Sequence, residues 1–63
     1  MKVITKIGKT INTYTISGNE VAKTEAVDNG AYGLKTNTSF ISIVEYSKEL
    51  LRLEDEGAYI EYL

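Results

Sequence analysis

Residues 39–63 read "SFISIVEYSKELLRLEDEGAYIEYL", and the apolar pattern changes period partway along this stretch. Phe40, Ile43, Val44, Ser47, Leu50, Leu51 and Glu54 recur at steps of three and four, which is one stripe of an amphipathic helix with a polar end. Ile41, Tyr46 and Leu53 flank the stripe and widen it. The spacing predicts a helix from about 39 to 54, capped by the hydroxyl of Thr38 or Ser39. Glu45, Lys48, Glu49 and Arg52 fall on the opposite face, with Glu45–Lys48 and Glu49–Arg52 as i,i+3 pairs. After Gly57 the period drops to two. "AYIEYL" at 58–63 is a strand with Ala58, Ile60 and Tyr62 on one face and Tyr59, Glu61 and Leu63 on the other. Both faces are apolar enough to be covered, either between earlier strands or at an edge against a second copy.

Upstream of the helix the chain is punctuated like a run of hairpins. "KVITKI" at 2–7 is short and β-branched, and Gly8-Lys9 suits a type II′ turn with Gly first. "TINTYTIS" at 10–17 is rich in residues that fit a pleated surface. Gly18-Asn19 is a second two-residue turn. "EVAKTEAV" at 20–27 is read as a third strand on Val21, Thr24 and Val27, although Asn19 as a cap with Ala22, Lys23, Glu25 and Ala26 also suits a short helix. Asp28-Asn29-Gly30 is a strong turn, and "AYGLKT" at 31–36 is a fourth strand. The order β-β-β-β-α-β predicts a single α+β domain over 1–63, a two-layer fold with an antiparallel sheet against one helix.

Composition narrows the function. The chain has 63 residues, no Cys and no His, and a net charge of −2. No disulfide or thiolate metal site can form, and the commonest general base is missing. A domain this small is marginal alone, which makes a homodimer an option. No apolar run approaches the ~20 residues that cross a bilayer, and "MKVITKIGKT" lacks the apolar centre of a secretory signal, so the expected location is the cytoplasm. "IGKT" at 7–10 matches only the end of a phosphate-binding loop: Val3 stands where the first Gly belongs, and a strand follows. No enzymatic activity, cofactor or metal is expected.

Charge is divided unevenly. Residues 1–35 carry five Lys against three acids; residues 36–63 carry Lys48 and Arg52 against six. Lys2, Lys6 and Lys9, with Tyr14 and Tyr32 as stacking platforms, make a dimeric nucleic-acid-binding regulator the second functional reading. Over roughly 11–54 the order of three strands then a helix resembles the arm-type DNA-binding domain of phage-type integrases. "LKTNTS" at 34–39 lacks the basic run that this resemblance implies, so no functional residue is carried over. The leading expectation comes from the other half. Glu54, Asp55 and Glu56 stand where carboxylates oppose the helix macrodipole, and Tyr59, Glu61 and Tyr62 follow. Local rule-breaking of this kind points to function. The expected protein-binding surface is Glu49, Glu54, Asp55, Glu56, Tyr59 and Glu61, docking on a basic protein surface, such as the groove of a nucleic-acid-binding protein, as in an inhibitor or adaptor from a phage or mobile element.

Overall fold

The computed structural model describes Met1–Leu63. Five strands form one antiparallel sheet: β1 Lys2–Ile7, β2 Thr10–Ser17, β3 Glu20–Asp28, β4 Leu34–Ser42 and β5 Tyr59–Tyr62, in the spatial order β4-β3-β2-β1-β5. One helix, α1 Ile43–Asp55, joins the two edge strands and packs on one face. The fold is α+β with two layers, as the alternation of periods predicts. No helix is long and apolar enough to cross a membrane.

The first three strands lie where their composition places them, including 20–27, where the β-branched residues outweigh the helix formers. In the β1–β2 turn Gly8 has φ +58° and no non-Gly residue has positive φ, the pattern of a type II′ turn with Gly first. The pairing β1–β2 sets Val3 opposite Tyr14, and β2–β3 sets Ile16 opposite Val21. These residues line the face under α1. Seven residues are buried, and the apolar cluster is Val3, Tyr14, Val21 and Tyr46, with Ile16, Ile41, Ile43, Leu50 and Ile60 at its margin. Tyr14 and Tyr46 meet edge to face, ring centroids 5.3 Å apart, which joins the centre of the sheet to the helix.

The fourth strand and the helix differ from expectation at their boundary. Residues 30–32 form a 3-10 turn, and β4 runs from Leu34 to Ser42, pairing along its full length with β3 from Asp28↔Leu34 to Glu20↔Ser42. Phe40 and Ile41 therefore belong to the strand. Nine ladder positions against β3 outweigh one extra helical turn, and Thr36, Thr38 and Ile41 suit the pleat. The helix starts at Ile43, not near 39. Its N-cap is Ser42, whose Oγ accepts from the Glu45 backbone N–H at 3.1 Å. Ser42-Ile43-Val44-Glu45 has the spacing of a capping box.

The helix is also rotated from the expected stripe. Tyr46 and Leu53 are buried, Ile43 and Leu50 half-buried, while Val44, Ser47, Leu51 and Glu54 are exposed. Leu53 and Leu51 therefore separate the two phasings. Leu53→Ala should destabilise the fold by about 2–4 kcal/mol in urea titration, as for a buried Leu. Leu51→Ala should stay within about 0.5 kcal/mol. The reverse order would show that Leu51 faces the sheet.

Candidate functional site

The C-terminal end of α1 is held by backbone geometry. Gly57 has φ +82°, Ala58 N–H donates to Leu53 C=O at 2.9 Å, and Gly57 N–H donates to Glu54 C=O at 3.1 Å. This is the Schellman pattern, with Gly supplying the left-handed residue. The helix thus runs to Asp55, so Glu54 and Asp55 lie in its last turn and Glu56 is its C-cap. All three are exposed and sit where the macrodipole disfavours negative charge.

The chain then enters β5, which pairs with β1 in the register Lys6↔Tyr59, Thr5↔Ile60, Ile4↔Glu61 and Val3↔Tyr62. Thr5 and Val3 face the helix, so Ile60 and Tyr62 do too, while Tyr59 and Glu61 lie on the open face. Only Ile60 of these four is half-buried; β5 is an edge strand and is covered on neither face along its length. The structure thus groups five of the six expected residues around one edge. Glu54, Asp55 and Glu56 lie on its helix side, Tyr59 and Glu61 on its open side. Tyr62 also follows the acids in the sequence but is not among the six expected residues. It is more than half exposed, and its OH lies 3.5 Å from Glu54 Oε1. Alternation alone assigns Tyr62 to the core face with Ile60, and nothing local signals that the helix ends short of covering it.

Glu49 does not belong to this surface. Its Oε1 accepts from Lys23 Nζ at 2.6 Å, in the one ion pair of the structure, and both side chains are about four-fifths buried at 18% and 22% exposure. The helix rotation turns Glu49 toward β3, and the expected pairs Glu45–Lys48 and Glu49–Arg52 do not form. Lys23 is 26 residues away in sequence, so no helix-local rule could find it. Burial lowers the Lys23 pKa, but the bond to Glu49 and nearby negative charge outweigh it, leaving the pKa above 10.5. The ammonium also lies 5.9 Å from the Tyr14 ring centroid. Burial, then the charge of Glu49, raises Tyr14 above 10.0; burial, then Tyr62, raises Tyr46.

Around this pair, Thr5 Oγ1, Asn12 Oδ1, Tyr14 OH and Glu49 Oε2 are buried without a hydrogen-bond partner. The two surface concavities lie elsewhere, one on the open face at Thr15, Glu20 and Phe40, the other at Glu25, Lys35 and Asn37. No three acids converge in a metal-binding geometry. On the basic side, Lys2 and Lys6 alternate with Val3 and Thr5 and so share the open face, but Tyr14 is 1% exposed and cannot stack on a base. Tyr32 is exposed in the β3–β4 connection.

The raised pKa values set a direction with pH. In the folded state Lys23, Tyr14 and Tyr46 hold their protons more tightly than in the unfolded chain. Their stabilisation is complete below the unfolded values, near 10, and is lost as pH rises through the folded ones. Urea midpoints should be level from about pH 6 to 9, with no His to titrate, and fall above about pH 10. Lys23→Met should cost about 1–3 kcal/mol by leaving Glu49 largely buried and unpaired. Adding Glu49→Met should recover most of it; no recovery would mean that the pair itself holds the helix.

In comparisons with protein-family models, with curated proteins and with solved structures, nothing matches this chain.

Proposed function

We propose that the chain is a non-enzymatic protein-binding module that docks the acidic edge around β5 onto a basic protein surface, as an inhibitor or adaptor does. One observation carries the reading. Glu54, Asp55 and Glu56 follow one another at the helix end with no ion pair to any Lys or Arg of the chain, beside exposed Tyr59, Glu61 and Tyr62. Their mutual repulsion and the opposed helix dipole are relieved when a cationic surface supplies the missing charge. Complementary charge of this kind mainly accelerates encounter and selects the partner. The tyrosines give contact area at small entropic cost and set the lifetime.

The effects on folding and on binding have opposite signs, which separates them. In the triple variant Glu54→Gln, Asp55→Asn, Glu56→Gln, the helix end loses its unfavourable charges, so stability should rise by about 0.3–1 kcal/mol per site. Capture of basic proteins from native lysate by the tagged chain should fall about tenfold at low salt, and the difference should shrink near 0.5 M salt, where the screening length is only about 4 Å. Equal capture by wild type and variant at low salt would remove this surface from consideration. Recovery of nucleic acid alone would favour the lysine-bearing open face.

A further inference from the structure

The two edges of the sheet are protected unequally. β5 is four residues long, carries Glu61 and follows three acids, so its edge is short and charged. β4 is nine residues long, every position but Ile41 is exposed, and from Thr36 to Ser42 it has no charge and no Pro. Long neutral edges invite pairing, and proteins ordinarily block them with charge, proline, bulges or cover. β4 has only Lys35, next to its start, and none of these from Thr36 to Ser42. It also holds two large apolar side chains that nothing in the chain covers: Leu34 at 66% exposure and Phe40 at 70%.

The ladder shows which backbone groups are free. Ile43 N–H donates to Asn19 C=O, so the β3–β4 positions that exchange hydrogen bonds are the odd-numbered ones of β4, such as Val21↔Ile41 and Lys23↔Ser39. The N–H and C=O groups of Leu34, Thr36, Thr38 and Phe40 therefore point outward. An antiparallel partner must present free groups at the same even-numbered spacing.

We infer that two copies of this chain pair β4 against β4 about a two-fold axis through Thr38, making a continuous ten-stranded sheet with both helices on the same face. This register sets Thr38 opposite Thr38, Thr36 opposite Phe40 and Leu34 opposite Ser42, all positions with outward backbone groups. On the open face it brings Phe40 of one copy against Thr36 of the other, with Leu34 diagonal to it, within reach of an aromatic ring. On the helix face Lys35 comes opposite Ile41, two residues before the helix whose first turn carries Glu45. The other pairings are disfavoured. Two β5 edges would bring like charges together, and β4 against β5 matches nine residues to four and gives an open, head-to-tail array. The inference is independent of the acidic-edge reading. In the dimer the two β5 edges lie at opposite ends, nine strand spacings or about 43 Å apart.

Sedimentation from about 5 to 500 µM tests the association by mass action. The wild-type mass should rise from one chain toward two. Thr38→Lys places like charges opposite each other at the axis, and Thr38→Pro removes an outward N–H that the β3–β4 ladder does not use. Both should stay monomeric with unchanged circular dichroism; if the Pro variant fails to fold, the Lys variant decides. Thr38→Cys should form an interchain disulfide under mild oxidation, since facing Cα atoms at a hydrogen-bonded pair lie about 5.5 Å apart. Thr13→Cys, in β2 on the open face, should not. A monomeric wild type at every concentration, or a dimer that persists in Thr38→Lys or that crosslinks equally at Thr13, would overturn the inference.

Discussion

A single crossing sets the terms for this molecule: the chain leaves the sheet at one edge and must re-enter it at the other. β4 and β5 are separated by four strand spacings, about 19 Å. The 13 residues of α1 extend about 20 Å. The helix is thus about as long as the crossing, and it runs diagonally, from the end of β4 beside the Gly18-Asn19 turn to the start of β5 beside the Gly8-Lys9 turn. It covers a band through the middle of one face and nothing else. The Tyr14–Tyr46 contact lies within that band, with Val3 and Val21. The corner of β3 and β4 beyond the band and the whole second face remain in solvent. So does Tyr62, which lies on the covered face but near its margin. The small core follows from geometry more than from any shortage of apolar residues.

Much of this was legible in the sequence because each element has its own period and its own punctuation. Three strands, two tight turns, the existence of the helix and the final strand were all read from local chemistry. The boundary between β4 and α1 was not, since Phe40, Ile43 and Val44 fit a helical stripe and Phe40 and Ile41 fit a strand equally well. The deciding facts are tertiary: nine ladder partners in β3. One local signal was there, Ser42 three residues before Glu45, and it marks the helix start better than the hydroxyls at 38 and 39. Helix phase went astray for the same reason. Leu50 and Leu51 are equivalent to a periodicity count, and only the angle of approach to Tyr14 and Val21 distinguishes them. Of the site, the acids at 54–56 were legible as a breach of helix electrostatics, and the Schellman geometry at Gly57 places them in the last turn and cap. Glu49 was not legible, because its partner Lys23 is brought in by the sheet.

The topology also reinterprets the uneven charge of the two halves. β5 lies beside β1, so one acid of the second half, Glu61, is threaded next to the most basic strand. On the open face Glu61 sits opposite Ile4, flanked diagonally by Lys2 and Lys6. These charges are too far apart to form an ion pair but near enough for part of the field of Glu61 to be offset. Glu54, Asp55 and Glu56 gain no such neighbours, because the helix end carries them away from β1 on the other side of the sheet. Arg52, in the same turn, forms no ion pair with them. Of the six acids in the second half, folding pairs Glu49 with Lys23 and sets Glu61 near Lys2 and Lys6, while Glu45 at the helix start and the run 54–56 at its end have no ion pair.

A purely protective account of those acids would make them guards of the β5 edge. It explains Glu61, which sits on the strand and would repel its own image in a second copy. It does not explain the other three. They lie off the strand, at a helix terminus where a neutral or basic residue would serve the helix better, and a four-residue strand already offers little for another chain to pair with. At the opposite edge, where eight of nine residues stand exposed, the same chain places no acid at all from Leu34 to Ser42. Protection against association would distribute charge the other way, toward the long edge. The observed distribution fits a molecule in which β4 is left open to neutral pairing and the region around β5 presents charge outward, two surfaces with different chemistry held apart by the full width of the sheet.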